Sequence, residues 1–179
     1  MKPHLFDTTK APAIPYSGWT IESHDTSLGK IDLTKLELYL DDVQNDGYVQ
    51  GHKLREKLKG KPILNACVLD YLFEKQKLIP KSWKEKTKDG WTKYIYFWGT
   101  IYRDPDTDRL FVRCLCFIDG SWYRHYFWLG RVWGGNDPAA LGKFGTKKLS
   151  PKSDPLGLEK RVKELEGDMA KLKKVIKIN

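Results

Sequence analysis

Long apolar runs are missing from this 179-residue chain. Nothing approaches the roughly 18 to 20 consecutive apolar residues that span a bilayer, so no transmembrane helix is expected. Cysteine is scarce: Cys67, Cys114 and Cys116 form an odd set, two of them at C-x-C spacing. That pattern argues against a disulfide framework and for reduced, buried thiols. The start lacks the basic-then-apolar pattern of a signal peptide, so residues 1–18 read as an extended, Pro-containing arm and the cytoplasm is the expected compartment. Also absent are a Walker A loop, a G-x-G-x-x-G fingerprint, a G-x-S-x-G elbow, internal repeats and low-complexity tracts. The common phosphate-loop, dinucleotide and serine-hydrolase signatures are thereby excluded.

What is present has the balance of a folded domain, 40% hydrophobic and 31% charged, with room for one core and one appended element. The net charge of +9 is unevenly placed. Residues 1–50 carry 4 basic against 8 acidic side chains, whereas residues 51–93 carry 12 against 5. A basic middle suits a phosphate backbone or an acidic protein, although a solvated lysine face is the commoner origin of such charge.

Periodicity divides the chain. A short strand is expected at 18–24, then a helix over "DLTKLELYLDDVQ", where Leu33, Leu36, Leu40 and Val43 recur at helical spacing. A short helix at 52–58 and a third capped by Asn65 make the first half largely helical. From residue 93 the period becomes two. Segments 93–103, 109–118 and 121–133 read as an antiparallel meander, and 14 of the 23 aromatics lie between Trp91 and Trp133. The expected fold is therefore α+β: a helical N-terminal half packed on an aromatic-rich β-meander over 19–141, a Gly/Pro/Lys linker at 142–157 and a C-terminal coiled-coil helix at 158–179. In that helix Val162, Met169 and Ile176 occupy one heptad layer and Leu158, Leu165 and Leu172 the other, the pattern of a parallel self-associating coil.

Asp119-Gly120 signals a two-residue hairpin loop, which pairs Ile118 with Ser121 and fixes the register inward. One face then collects Val112, Cys114, His125 and Phe127 and reads as core. The other interleaves Arg109, Arg113 and Arg124 with Trp122, Tyr126 and Trp128. With a four-residue turn at 104–107, Tyr94, Tyr96, Trp98 and Tyr102 join this second face, and Ile95, Phe97 and Ile101 join the first. Rings between guanidinium groups can stack bases and meet phosphate, so Trp98, Arg109, Arg113, Trp122, Arg124, Tyr126 and Trp128, with Lys53, Arg55, Lys57 and Lys61, form the candidate surface for single-stranded RNA or DNA. Coverage of the same face by the N-terminal helices is the alternative.

Catalytic candidates are fewer. Cys114 faces His125 in this register, and Glu22, His24 and Asp25 cluster near a strand end, yet no nucleophile, base and oxyanion stabiliser converge. Asp104, Asp106 and Asp108 open like a calcium loop but lack the Gly and Glu that complete one. The expectation is a non-enzyme without metal or cofactor.

The stretches "GKPILNACVLDYL", "LIPKSWK", "YFWGTIYRD" and "NDPAAL" resemble a group of small uncharacterised bacterial proteins over roughly residues 19–141. The resemblance implies one module and transfers no activity. Three helices before a hairpin also invite comparison with winged-helix DNA-binding domains. The third helix departs from that pattern, placing Asp70 and Glu74 where base-reading side chains belong. The resulting expectation is a non-catalytic, self-associating binding module for single-stranded nucleic acid, with a protein-interaction or assembly module as the alternative and an enzyme using Cys114/His125 or His24 third.

Overall fold

The structure, a computed structural model, describes residues 2–143. The coiled-coil residues Leu158, Val162, Leu165, Met169, Leu172 and Ile176 and most of the expected linker lie outside the described residues.

The α+β expectation is overturned. Strand accounts for 37% of the described residues and helix for 22%, with only three short α-helices. In chain order the strands are β1 (Leu5–Asp7), β2 (Thr20–His24), β3 (Lys30–Asp32) and β4 (Leu36–Tyr39). Helix α1 (Asp42–Asp46), strand β5 (Val49–Gln50), helix α2 (Gly51–Lys57) and helix α3 (Ala66–Glu74) follow. Then come β6 (Tyr94–Asp104), β7 (Arg109–Ile118), β8 (Ser121–Trp128), β9 (Val132–Trp133) and β10 (Ala139–Gly142).

The helix expected over 32–44 is the main departure. Leu33–Lys35 is a single 3-10 turn capped by the Asp32 carboxylate, and the next four residues are strand β4, paired antiparallel with β10. Leucines three and four apart fit either element locally; the pairing decides, because β10 offers β4 a full ladder from Tyr39↔Ala139 to Leu36↔Gly142. Helix begins only after Asp41, whose side chain accepts from Val43 N while its backbone N–H donates to Gln44 Oε1, a capping box. The segment expected to be an arm contributes β1, which pairs with β3 and buries Phe6.

The main sheet runs β4-β10-β6-β7-β8, with β2 paired to the far half of the long β6. The β7–β8 hairpin has the register that Asp119-Gly120 dictates, from Ile118↔Ser121 to Phe111↔Trp128, with Asp119 and Gly120 both at positive φ. Strand β6 departs from the simple alternation. Between Tyr96 and Ile101 it advances five residues while β7 advances two, from Cys114 to Val112. This irregularity exchanges the faces, so that Ile95 opposes Leu115 but Ile101 opposes Val112. Ile95 and Phe97 therefore leave the face expected for them and pack with Leu115 and Trp122. Tyr96 and Trp98 pack with Val112 and Cys114.

Both faces of the sheet are buried at the centre. On one, α3 supplies Val68, Leu69 and Leu72 against Ile95, Phe97, Leu115 and Trp122, with Trp83 alongside. On the other, Leu54 of α2 and Leu58 just beyond it pack on Tyr96, Trp98, Val112, Cys114 and Trp133. A sheet this aromatic needs cover on each side, and the short helices act as two lids rather than a helical half. Among the described residues no helix is long and apolar enough to cross a membrane.

Candidate nucleic-acid interface

The eleven residues expected to bind nucleic acid are divided by the fold. Trp98 and Trp122 are buried, 3% and 5% exposed, on opposite faces of the sheet. Arg113 is also 5% exposed, and its guanidinium makes a two-point contact with Asp70 of α3, Nη2 to Oδ1 at 2.6 Å and Nη1 to Oδ2 at 2.9 Å. Burial opposes its charge, but the Asp70 pair more than compensates and holds the guanidinium protonated beyond its ordinary range. These three positions are core, and a base cannot reach them.

The lysine group lies elsewhere. Leu54 and Leu58 seat α2 on the Cys114 face, so Lys53, Arg55 and Lys57 sit across the sheet from Arg124, Tyr126 and Trp128. Lys57 Nζ lies 3.0 Å from Asp41 Oδ1, Arg55 donates to Ser23 Oγ, and Lys61 Nζ rests 4.2 Å over the Tyr39 ring. Only Lys53 lacks such a partner among the described residues. The composite of lysines and rings expected from the sequence is thus split by the thickness of the sheet.

Four of the expected residues do stay together on an open surface: Arg109, Arg124, Tyr126 and Trp128. Tyr126 is 36% and Trp128 41% exposed, and alternation along edge strand β8 puts both with Arg124 on one face. The Arg109 guanidinium lies 4.8 Å over the Trp128 ring, and that of Arg124 lies 4.3 Å over Phe73. Arg124 also reaches Asp70 Oδ1 at 3.1 Å, so part of its charge is already matched. Sequence reasoning missed that the N-terminal segment completes this surface. Trp19 stacks on Phe111 at 4.6 Å, and Tyr16 and Trp19 each meet Tyr126 edge-on at 5.0 Å. The signal available was the pair of aromatics at 16 and 19 directly after the Pro-containing stretch, with nothing to say which strand end they would meet.

The catalytic candidates are placed as follows. Cys114 is fully buried, and burial pushes its thiol well above the ordinary range, while its register partner His125 is exposed beside Tyr123. His24 meets Cys67 instead, Nε2 to Sγ at 3.9 Å. That thiol donates to Lys10 O at 2.8 Å and is pushed up by burial, then by Asp70, so it is a neutral packed donor rather than a nucleophile. His24 is occupied by Thr100 Oγ1 at 2.8 Å and Lys10 O at 3.0 Å. Glu22 pairs with Arg103, and Asp104 accepts from Asp106 N and Thr107 Oγ1 within its own turn. Among the described residues no three His, Cys, Asp or Glu side chains converge as metal ligands.

A second feature escaped the sequence reading altogether: a groove of about 880 Å³ rimmed by Tyr48, Trp91, Lys86, Lys88 and Lys93. The Gly90-Trp91 and Gly47-Tyr48 pairs, each a ring directly after a turn glycine, were its only trace. No family model matches the chain, and no curated protein or solved structure matches it.

Proposed function

We propose that this protein is a non-catalytic cytoplasmic binding module that holds single-stranded nucleic acid along the outer strip of β8 and self-associates through its C-terminal heptads. The observation that carries the reading is the Arg109–Trp128 stack beside half-exposed Tyr126 on one face of β8. Same-face neighbours on a strand stand about 6.6 Å apart, so the rings at 126 and 128 lie side by side, and a base that displaces the Arg109 guanidinium from the Trp128 ring gains about 1 to 3 kcal/mol of stacking. Arg109 supplies the phosphate contact. The test is fluorescence anisotropy of a labelled oligo-dT or oligo-U strand with the full chain at low ionic strength. Affinity should fall steeply with salt; Trp128→Ala should weaken it with little change in salt slope, and Arg109→Ala should lower the slope by about one. No salt-dependent binding to any single strand sinks the proposal.

A protein partner is the second reading, because β8 ends the sheet and its outer edge is unpaired among the described residues. An extended peptide can add a strand there. Self-association rests on the sequence pattern alone, and Leu165→Lys with Leu172→Lys in the full chain should convert an oligomer to a monomer by sedimentation. An oligomer that survives both substitutions refutes the heptad role.

A further inference from the structure

The groove at Tyr48 and Trp91 is a built cleft on residues separate from the β8 strip. One wall is fixed by Gln44, buried beneath it. Gln44 Nε2 donates to both Gly134 O and Asp137 O at 3.1 Å, and Gly134 N donates to Asp137 Oδ2 at 3.0 Å. The opposite wall is the turn 87–91. It is closed by Thr87 N to Trp91 O at 2.8 Å and Trp91 N to Thr87 Oγ1 at 3.0 Å, with Gly90 at φ +82. That turn leaves the Trp91 ring 66% exposed. Tyr48 is 73% exposed, yet its ring lies flush on Gly134, where an added Cβ would come within 2.8 Å of Cε1. The two exposed rings line one groove, and exposed rings gathered at a cleft mark a binding surface more often than scattered ones do.

The charge is also free of ion pairs among the described residues, and Lys93 Nζ donates only to Ser82 O at 3.2 Å. Lysine ion pairs among the described residues involve Lys35, Lys57, Lys59 and Lys143, not Lys86, Lys88 or Lys93. A smaller cleft of about 220 Å³ shares Lys86 and Lys93 and adds Lys84, whose Nζ lies 4.5 Å over Phe117. Asp46 and Asp89 also line the larger cleft, and an ionised carboxylate has only acceptor capacity, suited to hydroxyl or amino donors. The volume falls in the range of small-ligand sites.

From these features we infer that the Tyr48–Trp91 groove binds a nucleoside phosphate. A planar base stacks on the exposed rings, its phosphates meet Lys86, Lys88 and Lys93, and its ribose hydroxyls reach the two carboxylates. A free nucleotide and the phosphorylated end of a nucleic-acid strand carry the same chemistry. This site is independent of the β8 strip, and either can fail while the other stands.

The experiment is calorimetric titration of the full chain with ATP, with a 5′-phosphorylated dinucleotide, with inorganic phosphate and with a neutral cello-oligosaccharide. Saturable binding of ATP or the dinucleotide supports the site; preference for the first identifies a free nucleotide, and preference for the second a strand end. Trp91→Ala should weaken binding about tenfold, as loss of one stacked base predicts, and Trp91→Phe should restore most of it. Lys86→Ala with Lys88→Ala should weaken binding and flatten its salt dependence. Both rings are exposed, so the variants should melt like the wild type, which a thermal scan checks. Failure of both ATP and the dinucleotide to bind, binding indifferent to Trp91→Ala, phosphate bound as well as ATP, or tighter binding of the neutral sugar each overturns the inference.

Discussion

Both terminal nitrogens of Arg113 donate to the two carboxylate oxygens of Asp70, at 2.6 and 2.9 Å, across the packing seam between β7 and α3. This pair explains why a face rich in arginine and rings is closed at its centre. The guanidinium that the sequence offers to a phosphate is already satisfied by the helix that covers it. Removing one member leaves the other charge buried, so Asp70→Ala should cost about 3 to 5 kcal/mol in denaturant unfolding, whereas Arg113→Met with Asp70→Leu should recover much of that loss. A single Asp70→Ala variant as stable as the wild type would show that the pair is not desolvated.

Gly99 sits inside the irregular stretch of β6 and donates to Leu64 O at 2.9 Å, directly below the start of α3. A Cβ there would lie 3.0 Å from the Asn65 Cα, N and Cβ atoms. Gly99→Ala should therefore push α3 off the sheet and destabilise by about 1 to 3 kcal/mol, measured by chemical denaturation. An unchanged midpoint would mean that the helix start gives way freely.

The Asp41 carboxylate titrates below its usual range. Burial alone would raise it, but the bonds from Lys57 and from the Val43 amide outweigh that. A folded value below the unfolded one of about 3.9 contributes stability above that pH, and the contribution disappears as pH falls through the folded value. Melting temperatures should consequently drop on the acid side, below about pH 4, and Asp41→Asn should flatten this drop while lowering stability near neutrality. Parallel acid limbs for the two proteins would remove Asp41 from the account.

Cys67, Cys114 and Cys116 are all free and buried. Burial raises each thiol, that of Cys116 to about 11. None should react with a disulfide reagent within minutes at neutral pH in the native protein, and all three should react in denaturant. A fast native thiol, above all Cys67 beside His24, would reopen the enzymatic reading.

The Asp119-Gly120 loop shows what was legible in the sequence by itself. A two-residue turn with both residues at positive φ admits one register, and eight cross-strand pairs follow from it. The alternation of β7 and β8 was equally readable, because a strand with one apolar and one mixed face has period two whatever surrounds it. The tertiary structure decided the rest. Leu36–Tyr39 is a strand only because β10, far along the chain, pairs with it, and leucine spacing carries no record of that partner. The face exchange in β6 depends on where α3 begins, since Gly99 is pinned to Leu64 O. Which rings stay open was settled the same way. Trp98 and Trp122 read like Trp128 locally, but α2 and α3 have finite length and cover the sheet centre and the start of β8, leaving the later part of that edge strand and the turns at Tyr48 and Trp91 to solvent. Local pattern specified the β7–β8 hairpin and its register; exposure is a sum over every segment that packs there, and only the folded chain performs that sum.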